Sequence, residues 1–321
     1  MISERGGARY RSILFAPYKR RDWLLEAGAV GADAVMCDLE DMVPVALKTE
    51  GREAVVALID ELREQPIGKL VRINGWGSGF VVADLHALVR EGVDCIALPK
   101  AETAADVVAL DRIITELEIE RGLPVGRIEI LPLAETAAGL HASYELVSAS
   151  PRVLRFYGVA NATREGDGAR SLRLRVQRDG REWVPIGAQV LLSARAAGVT
   201  HLLGATPMEP DNDERTRELA ELSRTYGANG CLCVHPRQIP IVNEIYSPTN
   251  DEVQHARRVV IEIHQALERG ESSVVIDGET ATYSHVRAAL DTLTLARSDG
   301  MSFDDVPHID VPAYSNRFRK G

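Results

Sequence analysis

The chain has 321 residues, 45% of them hydrophobic, and a formal net charge of −10. Length alone suggests roughly two domains, although α/β barrels of about 250 residues count as one. The acidic balance excludes nucleic acid or an anionic membrane surface as the main partner, since both demand a basic footprint; a small anionic substrate stays possible.

Met1 to Tyr10 is polar, with no apolar centre of a leader, and no apolar run approaches the ~20 residues of a membrane span. A soluble cytoplasmic protein is expected. Eight short apolar runs predict strands: Ser12 to Pro17, Ala34 to Leu39, Leu70 to Asn74, Cys95 to Lys100, Ile128 to Glu135, Val153 to Gly158, His201 to Ala205 and Cys231 to His235. Helical periodicity falls between them, at Asp22 to Ala29, Lys48 to Glu64, Val82 to Glu91, Ala104 to Arg121, Gly139 to Ser148, Val184 to Ala197 and Asp213 to Tyr226. Strand–helix alternation repeated eight times predicts a (β/α)8 TIM barrel over residues 1–246. Beyond it, Val253 to Glu268 and His285 to Arg297 predict helices, with a short apolar piece at Val274 to Asp277 and a polar tail from Ser298. Residues 247–321 are therefore expected to form a C-terminal helical extension that packs on a neighbouring subunit.

The strand ends carry the chemistry. Ala34 to Cys37 leads into Asp38-Leu39-Glu40-Asp41, Leu70-Val71 into Arg72, Ile96 to Leu98 into Pro99-Lys100, and Ile130 to Leu133 into Ala134-Glu135-Thr136. In a parallel α/β protein ligands lie beyond the carboxyl ends of the strands. Two carboxylates, an Arg, a Lys and a third carboxylate at four successive ends read as an enzyme. The long, arginine-rich connection from Asn161 to Arg181 predicts a lid or binding loop. Gly75-Trp76-Gly77-Ser78-Gly79 lacks a Walker ending and predicts a flexible loop near the mouth. Cys231 and Cys233 share one face of a strand; they could ligate a metal, but no further ligands stand nearby, and small buried apolar residues are the alternative.

Leu39-Glu40-Asp41-Met42-Val43-Pro44, Val71-Arg72-Ile73-Asn74, Leu98-Pro99-Lys100, Glu135-Thr136-Ala137-Ala138-Gly139 and Val234-His235-Pro236-Arg237-Gln238-Ile239 together resemble the citrate lyase β-subunit-like family of the HpcH/HpaI aldolase superfamily. Its relatives include malyl-CoA and citramalyl-CoA lyases. The resemblance runs from about Arg11 to Ser247 and more weakly to Ala296. It implies a TIM barrel with a C-terminal extension, assembled as a homotrimer or hexamer. It also implies Mg²⁺-dependent (possibly Mn²⁺-dependent) cleavage or formation of a C–C bond next to a carbonyl, commonly on a CoA thioester. Such cleavage releases an enolate, which a chelated divalent cation stabilises.

Carried over residue by residue, the resemblance makes Glu135 the first metal ligand, with an ion pair to a nearby Arg as the alternative. Arg72 becomes the clamp on a substrate carboxylate. Glu40 and Asp41 become the acidic pair that orients Arg72 and holds metal-bound water, or else caps a turn. Lys100 either touches substrate or neutralises the acids, and Gly158 and Ala160 line the substrate pocket. Lys48 and Arg20 are candidates for an anionic cofactor such as CoA. His235 serves a structural hydrogen bond more than proton transfer.

Three departures stand out. The family's second metal ligand is an Asp in a Phe-Gly-x-x-Asp pattern; counting from Gly158 reaches Asn161, whose amide can ligate but brings no charge. The first strand ends Pro17-Tyr18 where the family has Pro-Gly, so Tyr18 should reshape one wall. The tail has Thr282 where the family has an Asp, which argues against thioester hydrolysis. Three outcomes compete: a lyase on a hydroxy acid or its CoA thioester, an aldolase on a free keto-hydroxy acid, and a barrel that has lost its chemistry.

Overall fold

A computed structural model describes residues 8–158 and 166–309. Each of the eight apolar runs forms a parallel strand: β1 (Ser12–Pro17), β2 (Ala34–Asp38), β3 (Gly68–Arg72), β4 (Cys95–Leu98), β5 (Glu129–Pro132), β6 (Arg155–Tyr157), β7 (His201–Gly204) and β8 (Gly230–Cys233). Their hydrogen-bonded order is β5-β4-β3-β2-β1-β8-β7-β6. The ends of that order meet through a parallel bridge between Leu133 and Tyr157, with Ala134 N donating to Tyr157 O at 2.8 Å. The result is a TIM barrel, as the alternation predicts. Seven of the eight strands stop one to three residues short of the predicted ends.

Alternation along the strands separates two cores. Ile13, Phe15, Met36, Leu70, Leu131, Leu133, Leu203 and Leu232 fill the barrel interior. Leu14, Val35, Val71, Ile96, Ile130, Phe156 and Leu202 face outward and pack under the helices. These helices are α1 (Arg21–Glu26), α2 (Lys48–Glu61), α3 (Val81–Leu88), α4 (Ala104–Glu120), α5 (Ala137–His141), α6 (Ser143–Ser148), α7 (Asp167–Leu172), α8 (Val184–Ala196), α9 (Asp213–Thr225) and α10 (Ile239–Tyr246). The single helix predicted over Gly139 to Ser148 is two, broken at Ala142. All four cysteines are reduced and buried, so Cys231 and Cys233 are packing residues.

Tyr10 closes the floor of the barrel. A Cβ at Gly68 would stand 2.2 Å from its hydroxyl, so only glycine fits beneath it. The Arg155 guanidinium stacks on the Tyr10 ring at 4.2 Å and pairs with Glu129, which balances a buried charge at the end opposite the strand tips.

Residues 247–309 form a second compact unit with its own core of Val253, Val260, Ile263, Val286 and Leu293. It comprises α11 (Asn250–Glu268), an antiparallel hairpin of β9 (Ser273–Ile276) and β10 (Glu279–Thr282), and α12 (Tyr283–Ser298). The apolar piece at Val274 to Asp277 is thus the first arm of a hairpin. Asp277 and Gly278 both have positive φ, 53° and 87°, as a two-residue Asp-Gly turn requires. Thr282 ends β10, and its N–H donates to His285 Nδ1 at 3.0 Å at the start of α12.

Candidate active site

The buried arginine at the end of β3 organises the barrel mouth. Strand register sets Arg72 opposite Asp38 of β2. Arg72 Nε donates to Asp38 Oδ1 at 2.6 Å, and Nη1 lies 2.9 Å from Glu40 Oε2. The guanidinium also sits 4.7 Å over the Phe15 ring. Burial works against its charge, but Asp38 and Glu40 more than offset that and raise its pKa. Asp38 in turn accepts from the backbone N–H groups of Glu40 (3.1 Å) and Met42 (2.8 Å), so one carboxylate fixes both the arginine and the turn after β2.

This corrects the sequence reading of the acidic pair. The carboxylates that orient Arg72 are Asp38 and Glu40. Asp41 is largely exposed, lines the cavity and, among the described residues, pairs with Lys100 at 3.6 Å rather than with Arg72. Asp38 was legible as an inward position of β2, since Ala34 and Met36 share its face, but as the last strand residue it read as part of the ladder.

Lys100 draws the acids together. Its Nζ lies 2.6 Å from Glu40 Oε1 and 3.2 Å from Asp167 Oδ2. Burial disfavours its charge, yet the hydrogen bond to Glu40 and the surrounding carboxylates raise its pKa. Its backbone is left-handed, φ 50°, which costs about 1–2 kcal/mol for a residue with a Cβ. Charge-assisted hydrogen bonds, each worth about 1.5–3 kcal/mol, outweigh that strain.

Glu135 follows β5. Thr136 caps α5 by accepting from Gly139 N at 3.1 Å, and a Cβ at Gly139 would stand 2.2 Å from Ala101 O. The Glu-Thr-Ala-Ala-Gly run therefore turns sharply and leaves Glu135 in the cavity. Burial pushes its carboxyl up to about 7, with Arg72 opposing and Glu40 and Asp167 adding to the rise. Glu135 Oε1 is buried with no hydrogen-bond partner among the described residues.

Asn161 and Ala160, expected as second metal ligand and pocket wall, lie outside the described residues. The carboxylates lining the cavity with Glu135 are Asp41 and Asp167, the latter the first residue of α7. Ala137 N donates to Ser171 Oγ at 2.8 Å, which docks α7 on the start of α5. Asp167 stands nine residues after Gly158 and so lies outside the Phe-Gly-x-x-Asp spacing. The available signal was an Asp opening a short helix inside the arginine-rich connection.

The cavity encloses about 550 Å³. Phe15, Met36, Leu133 and Leu232 make its apolar wall, and Tyr157 and Thr206 also face it, joined by a hydroxyl–hydroxyl hydrogen bond of 3.1 Å. Arg72 and Lys100 bring two positive charges to it, against carboxylates from Asp41, Glu135 and Asp167 on its walls and Asp38 and Glu40 behind Arg72. An excess of buried carboxylate with an orphaned oxygen suits a hard cation. Among the described residues no cluster of three or more His, Cys, Asp or Glu could hold a metal. Two carboxylates agree with Mg²⁺, which keeps most of its sites for water and substrate.

Four other expectations change. Lys48 is buried and donates to Leu39 O (2.6 Å) and Glu40 O (2.7 Å), so its ammonium braces the turn after β2. Arg20 is exposed and stacks on Trp23 at 4.5 Å, away from the cavity lining. A Cβ at Gly158 would stand 2.8 Å from Val190, so that glycine serves packing against α8 rather than the pocket. Tyr18 turns its hydroxyl to Glu50 (3.0 Å) and does not line the cavity. His235 accepts from Arg237 N at 3.1 Å and packs edge-on to Trp23, the structural role expected of it.

Comparisons with known proteins agree with this fold. The model of the HpcH/HpaI aldolase/citrate lyase family matches residues 11–236. The citrate lyase subunit beta of Leuconostoc mesenteroides subsp. cremoris is 32% identical over 289 residues, covering 90% of this chain and 94% of that one. A (3S)-malyl-CoA thioesterase of Cereibacter sphaeroides is 29% identical over 289 residues, covering 90% and 95%. The CitE protein of Mycobacterium tuberculosis, solved with magnesium, acetoacetate and coenzyme A, superposes with a TM-score of 0.69 at 27% identity, covering 91% and 99%.

Proposed function

Because the chain belongs to the HpcH/HpaI aldolase/citrate lyase family, we propose that it is a Mg²⁺-dependent carbon–carbon lyase acting on a hydroxy acid or its CoA thioester. The observation that carries this reading is a buried guanidinium held by Asp38 and Glu40 in the same cavity as Glu135 and Asp167. Glu135 and Asp167 would hold the cation. A Mg²⁺ held there would supply Lewis-acid stabilisation of the charge that develops on a carbonyl oxygen when the C–C bond is cleaved.

The chain's own residues do the positioning. Arg72 uses its inner N–H groups on Asp38 and Glu40 and offers the rest of its planar fork to a substrate carboxylate. Asp38 holds that fork in one orientation, so a ligand meets a preorganised clamp. Phe15, Leu133 and Leu232 exclude water from the reacting end, which strengthens every charge interaction inside. Lys100 screens Glu40 from Asp167 and keeps the acids from repelling α7.

Glu135 and Asp167 together in the cavity favour a working metal site over a barrel emptied of chemistry. A thioester substrate follows the CoA-bound relative; a free keto-hydroxy acid is the alternative, and failure to bind immobilised CoA would select it. Assembly as a trimer or hexamer belongs to the same reading, and light scattering tests it. The main test is calorimetry with Mg²⁺ and pyruvate on the wild type, Arg72→Ala and Arg72→Lys. The wild type should bind pyruvate only with metal. Both variants should lose at least about tenfold, Lys included, because an ammonium cannot reproduce the fork. Unchanged binding in Arg72→Lys would remove the clamp from the proposal.

A further inference from the structure

Glu135 and Asp167 reach the cavity from different elements, and a cation shared by the two would sense their separation. Glu135 is fixed at its base. Thr136 caps α5 by accepting from Gly139 N, and a Cβ at Gly139 would stand 2.2 Å from Ala101 O, so the start of α5 packs directly on the turn after β4. Asp167 opens α7, a six-residue helix, and a helix that short depends on its contacts more than on propensity. It also ends under strain: Arg173 is left-handed, φ 54°, a conformation that a residue with a Cβ keeps only when its surroundings impose it.

Two kinds of contact hold this carboxylate. Lys100 Nζ lies 3.2 Å from Asp167 Oδ2, and Arg170 Nη2 lies 3.3 Å from Oδ1. Both cations stand on long, flexible stems, which follow a carboxylate more than they fix it. Ser171 acts on the helix itself. It stands one turn after Asp167 on the same face of α7. Its Oγ accepts from Ala137 N at 2.8 Å. Ala137 is the first residue of α5 and comes two residues after Glu135. One short hydroxyl therefore ties the backbone behind the first carboxylate to the helix that carries the second. Mg²⁺ demands near-octahedral geometry at about 2.0–2.1 Å, whereas Ca²⁺ accepts irregular coordination at about 2.3–2.6 Å. The spacing of two ligands on separate elements is thus part of the choice of metal.

We infer that Ser171 is a positioning residue for the metal site: its bond to Ala137 N sets the separation of Glu135 and Asp167 and makes the site select the smaller cation. This rests on the reading of those two carboxylates as the metal pair and adds to it a residue that does not line the cavity.

The test titrates Mg²⁺ and, separately, Ca²⁺ into the full chain by calorimetry, for the wild type, Ser171→Ala and Ser171→Thr. Ser171 is exposed and alanine is the better helix former, so the substitution leaves no cavity and does not weaken α7 by propensity. Ser171→Ala should bind Mg²⁺ about fivefold more weakly, the loss of one ordinary hydrogen bond, and Ca²⁺ within about twofold of the wild type. Ser171→Thr keeps the hydroxyl and should return the ratio of the two dissociation constants to within about twofold of the wild type. A general weakening cancels in that ratio, so equal losses for both cations overturn the inference. An unchanged Mg²⁺ affinity in Ser171→Ala overturns it too, as does a loss that Ser171→Thr fails to reverse. In each of these cases Mg²⁺ binding by the wild type leaves the metal reading standing. A wild type that binds no Mg²⁺ overturns the metal reading, and this inference falls with it.

Discussion

Asp167 Oδ2 lies 3.2 Å from Lys100 Nζ, joining the first residue of α7 to the end of β4. The contact matters because it brings a second carboxylate from a long connection into the cavity that holds Glu135. Glu135 and Asp167 are the pair proposed above to hold Mg²⁺.

Asp167→Asn should therefore weaken Mg²⁺ binding by at least about tenfold, since an amide ligates without charge. Asn161→Ala should change it less than about threefold. Calorimetric titration of Mg²⁺ into each variant measures this. The reverse ranking would put the second ligand at position 161 and leave Asp167 as a partner of Lys100 and Arg170.

Asp38→Asn keeps the shape at the end of β2 but removes the charge that holds Arg72 Nε at 2.6 Å. Turnover should fall about a hundredfold, the cost of misplacing a positioned group by about an ångström. Mg²⁺ affinity should change little, because Asp38 does not line the cavity. Steady-state kinetics beside a metal titration separates the two effects; a parallel loss of metal would show that Asp38 acts on the whole site.

Away from the mouth, Arg152 ties the approach to β6 to α4. Its Nη2 lies 2.6 Å from Glu118 Oε2 and its Nε 2.5 Å from Asp111 Oδ1. Glu118 is fully buried and also accepts from Gly126 and Ile128 N–H groups. Arg152→Met leaves that carboxylate uncompensated and should cost about 3–5 kcal/mol in urea unfolding. Adding Glu118→Gln should recover part of the loss; no recovery would mean that the arginine contributes through packing.

His201 predicts an acid-side instability. Burial first, and then the nearby Arg155, push its pKa down to about 3 from an ordinary 6.5. Between those values the unfolded chain carries the proton and the folded one does not. The stability it contributes is therefore complete above pH 6.5 and drains away as pH falls toward 3, at up to ~1.4 kcal/mol per pH unit. From pH 7 to pH 5 the wild type should lose about 2 kcal/mol more than His201→Gln. Equal losses in the two proteins would show that His201 is protonated in the fold or lies open to water.

The barrel was legible in the order of residues because its strands are buried on both faces. Apolar runs such as Ala34 to Cys37 and Ile130 to Leu133 have no other stable place, and β1 forms over the predicted residues. Arg72, Lys100 and Glu135 were legible for the same reason, as charges standing where a buried strand stops. The two-residue turn at Asp277-Gly278 could have revealed the hairpin, but the polar residues of β10 concealed its second arm. The six-residue α7 is too short to announce itself by periodicity and depends on its docking through Ser171.

Local sequence, then, determined the eight strands, the direction in which their ends point and most of the charges that arrive there, because burial and period are properties of short segments. Tertiary structure decided which of those charges meet. Strand register placed Asp38, not Asp41, beside Arg72. Backbone carbonyls claimed Lys48. Docking of α7 on the start of α5 brought Asp167 into the cavity that holds Glu135, a contact between segments distant in sequence that no short stretch announces.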